Sequence, residues 1–165
     1  MRDVAAVANV THDAGVPLKV ILETCLLSTK EIETVADACR ALGVEWIKTS
    51  TGFSTGGAKK EDVSLMHARG SDPAVRFAPS QVKASGGIRT LNDALGMINA
   101  GEYRCLQALH VLFITFVSGA MRIGASAGVS IMKELEDLQE TSAASAQRIL
   151  EDDGVKLQKA PERST

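Results

Sequence analysis

Residues 43–66 read GVEWIKTSTGFSTGGAKKEDVSLM, and this stretch decides the fold. Its first part, 44–51, is a short apolar run with β-branched residues, which is typical of a buried strand. A glycine-rich loop follows and leads into 59–70, where the spacing of the apolar residues favours a helix. A strand, a loop and a helix in this order are the repeating unit of parallel α/β proteins.

The same alternation runs along the rest of the chain. Strands are predicted at 18–24, 44–51, 81–87 and 121–126, and helices at 2–14, 28–43, 59–70, 89–101 and 127–139. Strict alternation of this kind predicts an α/β fold with a parallel sheet and right-handed crossovers. The polar segment 140–165 is expected to form a C-terminal helix followed by a flexible tail.

Composition limits the class of protein. The chain has 165 residues and is 45% hydrophobic, which is enough for one folded domain. A formal net charge of -2 gives no basic face for a polyanion, so no nucleic-acid partner is expected. One local cluster of cations could still hold a small anionic ligand.

The cysteines and the N-terminus predict a cytoplasmic protein. Cys25, Cys39 and Cys105 are odd in number and lack metal-type spacing, which favours neither a disulfide framework nor a zinc site. Charged residues interrupt what would be the apolar core of a secretory signal. His12, His67 and His110 also lack partners at ligand spacing, so neither a metal nor a cofactor is expected.

Two lysines are the main candidates for chemistry. Lys48 and Lys83 lie at the same relative depth on neighbouring predicted strands, near the carboxyl ends where parallel sheets place their sites. A neighbouring cation and partial burial lower the pKa of a lysine, and the free amine then attacks carbonyl compounds. Spacing does not decide which lysine would form the imine, and the alternative is that both project into water.

Glycine-rich turns predict an anion site beside these lysines. Gly86 and Gly87 precede Arg89, and Gly124 precedes Ser126 at the start of a helix, so backbone N–H groups can face an anion. Together with the lysines they indicate a phosphorylated carbonyl compound as ligand.

Two further residues near predicted strands have simpler interpretations. Glu23 follows a predicted strand, where it either orients a lysine or caps a loop, and the sequence leaves both roles open. Trp46 is expected to serve packing.

Four segments carry a family resemblance. They read LKVILETCLLS, GVEWIKTSTGFSTGGAKKEDVSLM, VKASGGIRTLNDALGMINAG and RIGASAGVSIM. They resemble the second half of deoxyribose-phosphate aldolase, a class I aldolase built as a TIM barrel, and the motifs KTSTGF and KASGGIR in this order are specific to it. The resemblance covers residues 1 to about 135.

The resemblance implies a function and a site. The family reversibly cleaves 2-deoxy-D-ribose 5-phosphate to D-glyceraldehyde 3-phosphate and acetaldehyde, without a cofactor, and a homo-oligomer is compatible with it. Lys48 resembles the lysine that forms the Schiff base, and Lys83 the lysine that lowers its pKa and assists proton transfer. Ala127 stands where many relatives have a residue with a hydroxyl group. The resemblance thus implies that one hydrogen bond to the phosphate is missing, which would weaken binding by about 1 kcal/mol. The residues that resemble the substrate and phosphate contacts are Thr51, Gly52, Gly86, Gly87, Gly124 and Ser126.

The resemblance also implies that the barrel is partial. A complete (β/α)8 barrel has more than about 200 residues, whereas residues 1–139 would supply only strands 5–8 with their helices. The family's aspartate on an earlier strand then has no counterpart. The alternative function is therefore a truncated, catalytically incompetent fragment or isoform, prone to self-association through its open sheet edges. A different phosphate-binding barrel fits the two lysine motifs poorly.

An apolar insert departs from the family pattern. The segment GEYRCLQALHVLFITFVSGAM, 101–121, separates two motifs that adjoin in the family. Its apolar core is too short for a membrane span, so no membrane partner is expected. Gly-Glu-Tyr and Phe-Val-Ser-Gly can be encoded by intron boundary sequences, and removal of 102–119 restores the family pattern. The insert is therefore interpreted as a retained intron.

Overall fold

The computed structural model describes residues 1–70, 79–100 and 120–152, with side chains up to residue 142. The expected insert, 102–119, and the tail beyond residue 152 lie outside the described residues. In chain order, the elements are α1 (Arg2–Asp13), β1 (Lys19–Ile21), a 3-10 turn (Thr24–Leu26), α2 (Thr29–Ala41), β2 (Trp46–Lys48), α3 (Lys60–Gly70), β3 (Gln81–Ser85), α4 (Leu91–Ile98), β4 (Ala120–Gly124) and α5 (Gly128–Asp152).

The four described strands form one parallel sheet in the order β1-β2-β3-β4. Each strand pairs with the next one along the chain, and helices connect them. The prediction of an α/β fold with a parallel sheet is therefore confirmed.

The hydrophobic core lies between the sheet and its helices. Ile47, Val82 and Ala84 alternate with the polar strand residues and are fully buried. They pack with buried side chains of the helices, among them Ile32 and Val63. Because successive side chains point to opposite faces of a strand, the residues next to these core positions lie on the other face. Lys48 and Lys83 are there, in partly exposed positions.

Two helices begin with capping boxes. The Ser28 side chain accepts a hydrogen bond from the Glu31 N–H, and the Glu31 carboxylate accepts one from the Ser28 N–H. Thr90 and Asp93 make the same reciprocal pair at α4. Each box satisfies N–H groups that have no partner within the helix, and so fixes where the helix begins. The loop before α4, which carries Gly86 and Gly87, is thereby held in place.

The strand bounds differ from those expected. Glu23 adopts a left-handed conformation with φ 56° and turns the chain into the 3-10 turn, so β1 ends at Ile21. Pairing between the two chain segments nevertheless continues beyond the strand, because the Leu22 N–H donates to the Lys48 carbonyl at 2.9 Å.

The C-terminal helix also differs. The separate helices expected at 127–139 and after residue 139 form one helix, Gly128–Asp152, because no glycine or proline interrupts 129–152. Within the described part of the chain, no helix combines the length and apolarity needed to cross a membrane.

Candidate active site

The two lysines lie side by side. Lys48 is the last residue of β2, and Lys83 is its register partner on β3. Their chain neighbours Ile47 and Val82 are fully buried against the helices, which directs both lysines to the opposite face. Spacing along the sequence predicted this convergence, and the parallel ladder supplies it.

The surroundings of Lys48 favour its neutral amine. Partial burial lowers the pKa of Lys48 first of all, because it removes water from the ammonium group. The positive charges of Lys83 and Lys19 lower it further, and the negative charge of Glu23 acts in the opposite direction. A larger fraction of the amine is therefore unprotonated near neutral pH than for a lysine in water.

Gly124 makes room for Lys83. A β carbon at Gly124 would lie 2.9 Å from Cε of Lys83 and 3.5 Å from its Nζ. It would also lie 2.9 Å from Cβ of Ser85. A side chain at this position would shift the end of the Lys83 side chain and press on the Ser85 β carbon, so glycine is favoured here for packing.

A cleft of about 430 Å³ joins the lysines to the glycine-rich turns. Its charged lining residues are Lys48, Lys83 and Arg89, all cations. The cleft therefore suits an anion that also carries an electrophilic group. It contains every site residue predicted from the sequence: Lys48, Lys83, Thr51, Gly52, Gly86, Gly87, Gly124 and Ser126.

The glycine-rich turn at the cleft has backbone conformations that favour glycine. Gly86 and Gly87 have φ values of 88° and 76°, a region open to glycine but strained for other residues. Ser126 lines the cleft two residues before Gly128, the first residue of α5, and helix N-termini favour anions. At the start of α4, the N–H groups of Arg89 and Thr90 already donate to the Asp93 carboxylate at 3.1 Å, so these two groups are not free to bind an anion.

Buried hydroxyl groups under the lysines are a feature that the sequence analysis missed. The Thr49 hydroxyl donates to the Ser85 carbonyl at 3.1 Å and accepts from the Ser85 N–H at 3.1 Å. The Ser85 hydroxyl donates to the Ser50 carbonyl at 2.6 Å. These bonds fix the ends of β2 and β3 against each other. Their only signal in the sequence is that Thr49, Ser50 and Ser85 are polar residues at the ends of buried strands.

Glu23 contacts the loop after β2. Its carboxylate accepts hydrogen bonds from the Thr51 hydroxyl at 2.5 Å and from the Thr51 N–H at 3.2 Å. The sequence left open whether Glu23 orients a lysine or caps a loop, and these hydrogen bonds are contacts with a loop. Its electrostatic effect on Lys48 shows that the lysine is also within its influence.

The remaining candidates lie outside the cleft. His12 contacts the Gly43 carbonyl at 3.2 Å, and partial burial in α3 lowers the pKa of His67. His110 is outside the described residues. Among the residues that the structure describes, no cluster of side chains could hold a metal ion. Trp46 is partly buried, and the Arg122 guanidinium lies 4.3 Å from the centroid of its ring.

Larger hollows between the helices do not share this chemistry. One of about 500 Å³ lies between α4 and α5, and one of about 730 Å³ between α3 and α4. The lining of the first cavity includes leucines and acidic residues, among them Leu138 and Glu134, and contains no lysine or arginine. The second contains Lys60, but with Glu61 beside it. Chemistry, and not volume, identifies the lysine cleft as the candidate site.

The fold and the cleft define a parallel α/β protein with two neighbouring lysines at the carboxyl ends of its strands. The chain is homologous to deoxyribose-phosphate aldolases over 82% of its length. It is 44% identical over 135 residues to a deoxyribose-phosphate aldolase from Mannheimia succiniciproducens, and 40% identical over 136 residues to one from Thermococcus kodakarensis. The family resemblance seen in the sequence is therefore confirmed. No protein-family model matches the chain.

The chain spans about half the length of these curated relatives, 49% and 50% respectively. A match to a solved structure likewise covers about half of the other chain. The deoxyribose phosphate aldolase from Aeropyrum pernix, described as a unique tetrameric structure, matches with a TM-score of 0.61 and 28% identity. That match covers 83% of this chain and 49% of the Aeropyrum chain.

Proposed function

We propose that this chain carries the Schiff-base site of a deoxyribose-phosphate aldolase and supplies strands 5–8 of a (β/α)8 barrel. The reaction is the reversible cleavage of 2-deoxy-D-ribose 5-phosphate to D-glyceraldehyde 3-phosphate and acetaldehyde. One observation carries the proposal above the others. Lys48 has a lowered pKa and lies beside Lys83 in a cleft whose charged lining residues are cations.

Lys48 is the nucleophile in this proposal. Its neutral amine attacks the aldehyde carbon of the open-chain sugar, and loss of water from the adduct gives an imine. The protonated imine withdraws electrons, so the bond between C2 and C3 breaks as the C3 hydroxyl loses its proton. Glyceraldehyde 3-phosphate leaves, and the remaining enamine is protonated and hydrolysed to acetaldehyde and the free lysine.

Lys83 supports this chemistry through its charge and its position. Its ammonium group disfavours a second positive charge at Lys48, which keeps the nucleophile neutral. Packed against Gly124, it is held on the same face as Lys48, where it can assist proton transfer at the imine.

The glycine-rich turns are proposed to hold the phosphate. Gly86, Gly87, Gly124 and Ser126 line the cleft and can present N–H groups or a hydroxyl to phosphate oxygens. Thr51 and Gly52 close the cleft on the side of the loop after β2. Ala127 offers no hydroxyl, so one phosphate hydrogen bond found in many relatives is replaced or lost.

The biological setting follows from the substrate. The activity belongs to the catabolism of deoxyribonucleosides and deoxyribose phosphate in the cytoplasm. A homo-oligomer is proposed as well, in keeping with the tetrameric description of the Aeropyrum relative.

A second candidate is supported by the extent of the match. Because the chain spans about half of its relatives, a catalytically incompetent fragment or isoform is the alternative function. In this case the sheet carries the lysines without the acid that the family contributes from an earlier strand. The interpretation of 102–119 as a retained intron belongs with this candidate. Sequencing of the transcript tests it, and transcripts that consistently encode the insert would contradict it.

Aldol cleavage distinguishes the two candidates. The purified chain and its Lys48→Met variant are given 2-deoxyribose 5-phosphate, and glyceraldehyde 3-phosphate is measured by a coupled assay. The aldolase proposal predicts product from the unmodified chain and none from the variant. The alternative predicts product from neither, while the Mannheimia relative assayed in parallel remains active.

A further inference from the structure

Glu23 adopts a conformation that needs an explanation. Its φ of 56° and ψ of 60° place it in the left-handed region, and no other described residue except glycines has a positive φ. A residue with a β carbon adopts this conformation at a cost in free energy. It persists where surrounding contacts hold it, and such residues concentrate at functional sites.

The Glu23 carbonyl accepts from the Leu26 N–H at 3.0 Å within its own turn, and the Glu23 carboxylate contacts the loop after β2. The carboxylate accepts from the Thr51 N–H and from the Thr51 hydroxyl. The Thr51 hydroxyl in turn accepts from the Phe53 N–H at 3.3 Å. Next to Glu23, the Cys25 thiol lies 3.4 Å from the Ser54 hydroxyl of the same loop. A residue that follows β1 is thus bonded directly to Thr51 and, through the Thr51 hydroxyl, is linked to the Phe53 N–H.

Those positions form one wall of the lysine cleft. Thr51, Gly52 and Phe53 all line it, and Lys48 lies only three residues before Thr51. Phe53 is 97% exposed, so packing of its side chain does not hold the loop. The hydrogen bonds to Glu23, together with the contact between Cys25 and Ser54, therefore contribute to the order of this wall.

We propose that Glu23 is a positioning residue of the lysine site, which holds loop 51–53 against the cleft and places a negative charge beside Lys48. The inference rests on the proposed function and extends it with a residue that acts through Thr51 and through its charge. Among the described residues, the charged groups around Lys48 are Lys19 and Glu23 on the β1 side, Lys83 on β3, Arg89 in the loop after β3, and Arg122 on β4. Glu23 is the one acid in this set.

The two effects of Glu23 predict two separable results. Removing its charge leaves the cations unopposed, so the pKa of Lys48 falls further below its usual range. Removing its hydrogen-bond acceptors frees the loop. Glu23→Gln removes the charge and keeps an oxygen that can accept from Thr51, whereas Glu23→Ala removes both. Glu33→Gln is the matched control, because Glu33 is a partly buried acid on α2 that pairs with Lys30 and does not line the cleft.

The experiment reads Lys48 and the loop without requiring catalysis. Trace labelling with acetic anhydride across a pH series gives the titration midpoint of Lys48 by mass spectrometry. Hydrogen exchange gives the protection of the amides in 51–53. We expect the midpoint to move to lower pH in Glu23→Gln and stay in place in Glu33→Gln, and we expect faster exchange in Glu23→Ala. An unchanged midpoint, or unchanged exchange in a folded Glu23→Ala, overturns the inference.

The result is independent of whether the chain is an active aldolase. If Glu23→Gln shifts the titration of Lys48 while the unmodified chain forms no product from 2-deoxyribose 5-phosphate, the positioning role stands and the proposed function fails. If product forms but the two readouts do not respond to Glu23, the proposed function stands and the positioning role fails.

Discussion

Lys48 and Lys83 are register partners in the parallel ladder between β2 and β3, and the charge of Lys83 lowers the pKa of Lys48. The relationship follows from the sheet itself, because direct neighbours on adjacent parallel strands point to the same face. It gives the fold a direct chemical consequence. After partial burial, which is the largest cause, the strand register thus contributes to the lowered pKa of the amine that is proposed to react.

The first prediction concerns the charge of Lys83. In Lys83→Met the pKa of Lys48 should rise, because one of the cations that disfavour its ammonium form is gone. Less free amine is then present at neutral pH, so acetic anhydride labelling of Lys48 should slow several-fold there, and its midpoint should move to higher pH.

Lys30→Met is the control for this prediction. Lys30 is on the surface of α2, and its side chain is 81% exposed. Labelling of Lys48 in this variant should match that of the unmodified chain. A Lys83→Met variant that labels like the control would show that the two lysines do not interact.

The second prediction concerns the space beside Lys83. In Gly124→Ala the new β carbon would lie 2.9 Å from Cε of Lys83, so the lysine must move. A displaced catalytic group costs roughly up to a hundredfold in rate. We expect imine formation at Lys48 to slow accordingly, measured as the rate of borohydride-trapped adduct with acetaldehyde.

Gly128→Ala provides the comparison. A β carbon at Gly128 meets no atom within 4 Å, so this substitution adds the same methyl group in open space at the start of α5. Its trapping rate should be unchanged. Equal slowing in both variants would mean that the effect comes from the backbone and not from Lys83.

The third prediction tests the packing that directs the lysines. Ile47 is fully buried between the sheet and the helices, and Ile47→Ala should lower the free energy of unfolding by about 2–5 kcal/mol. Val129→Ala, at a position 87% exposed on α5, should change it by no more than about 0.5 kcal/mol. Urea unfolding followed by circular dichroism measures both. Similar losses in the two variants would contradict the assignment of the core.

Much of the fold was predictable because it depends on local signals. The apolar runs around Ile47 and Val82 indicate buried strands, and the capping boxes at Ser28 and Thr90 indicate helix starts. Alternation of these elements requires a parallel sheet. The convergence of Lys48 and Lys83 follows from the same rule, since carboxyl ends of parallel strands meet at one edge.

What the sequence did not reveal depends on contacts between distant residues. The left-handed conformation of Glu23 ends β1 early, and it is held by hydrogen bonds to Thr51, 28 residues further along the chain. The bonds between Thr49 and Ser85 likewise require the strand register. Neither the conformation of Glu23 nor the bonds between Thr49 and Ser85 can be recognised from a local sequence pattern. The roles of the site residues stay predictions until the chemistry is measured.

Borohydride trapping tests the central claim most directly. The purified chain is incubated with acetaldehyde or 2-deoxyribose 5-phosphate, sodium borohydride is added, and the modified residue is located by mass spectrometry. The proposed function predicts a reduced adduct on Lys48 that is lost in Lys48→Met and retained in Lys30→Met. An adduct on Lys83 instead, or no adduct while the Mannheimia relative is labelled under the same conditions, would contradict it.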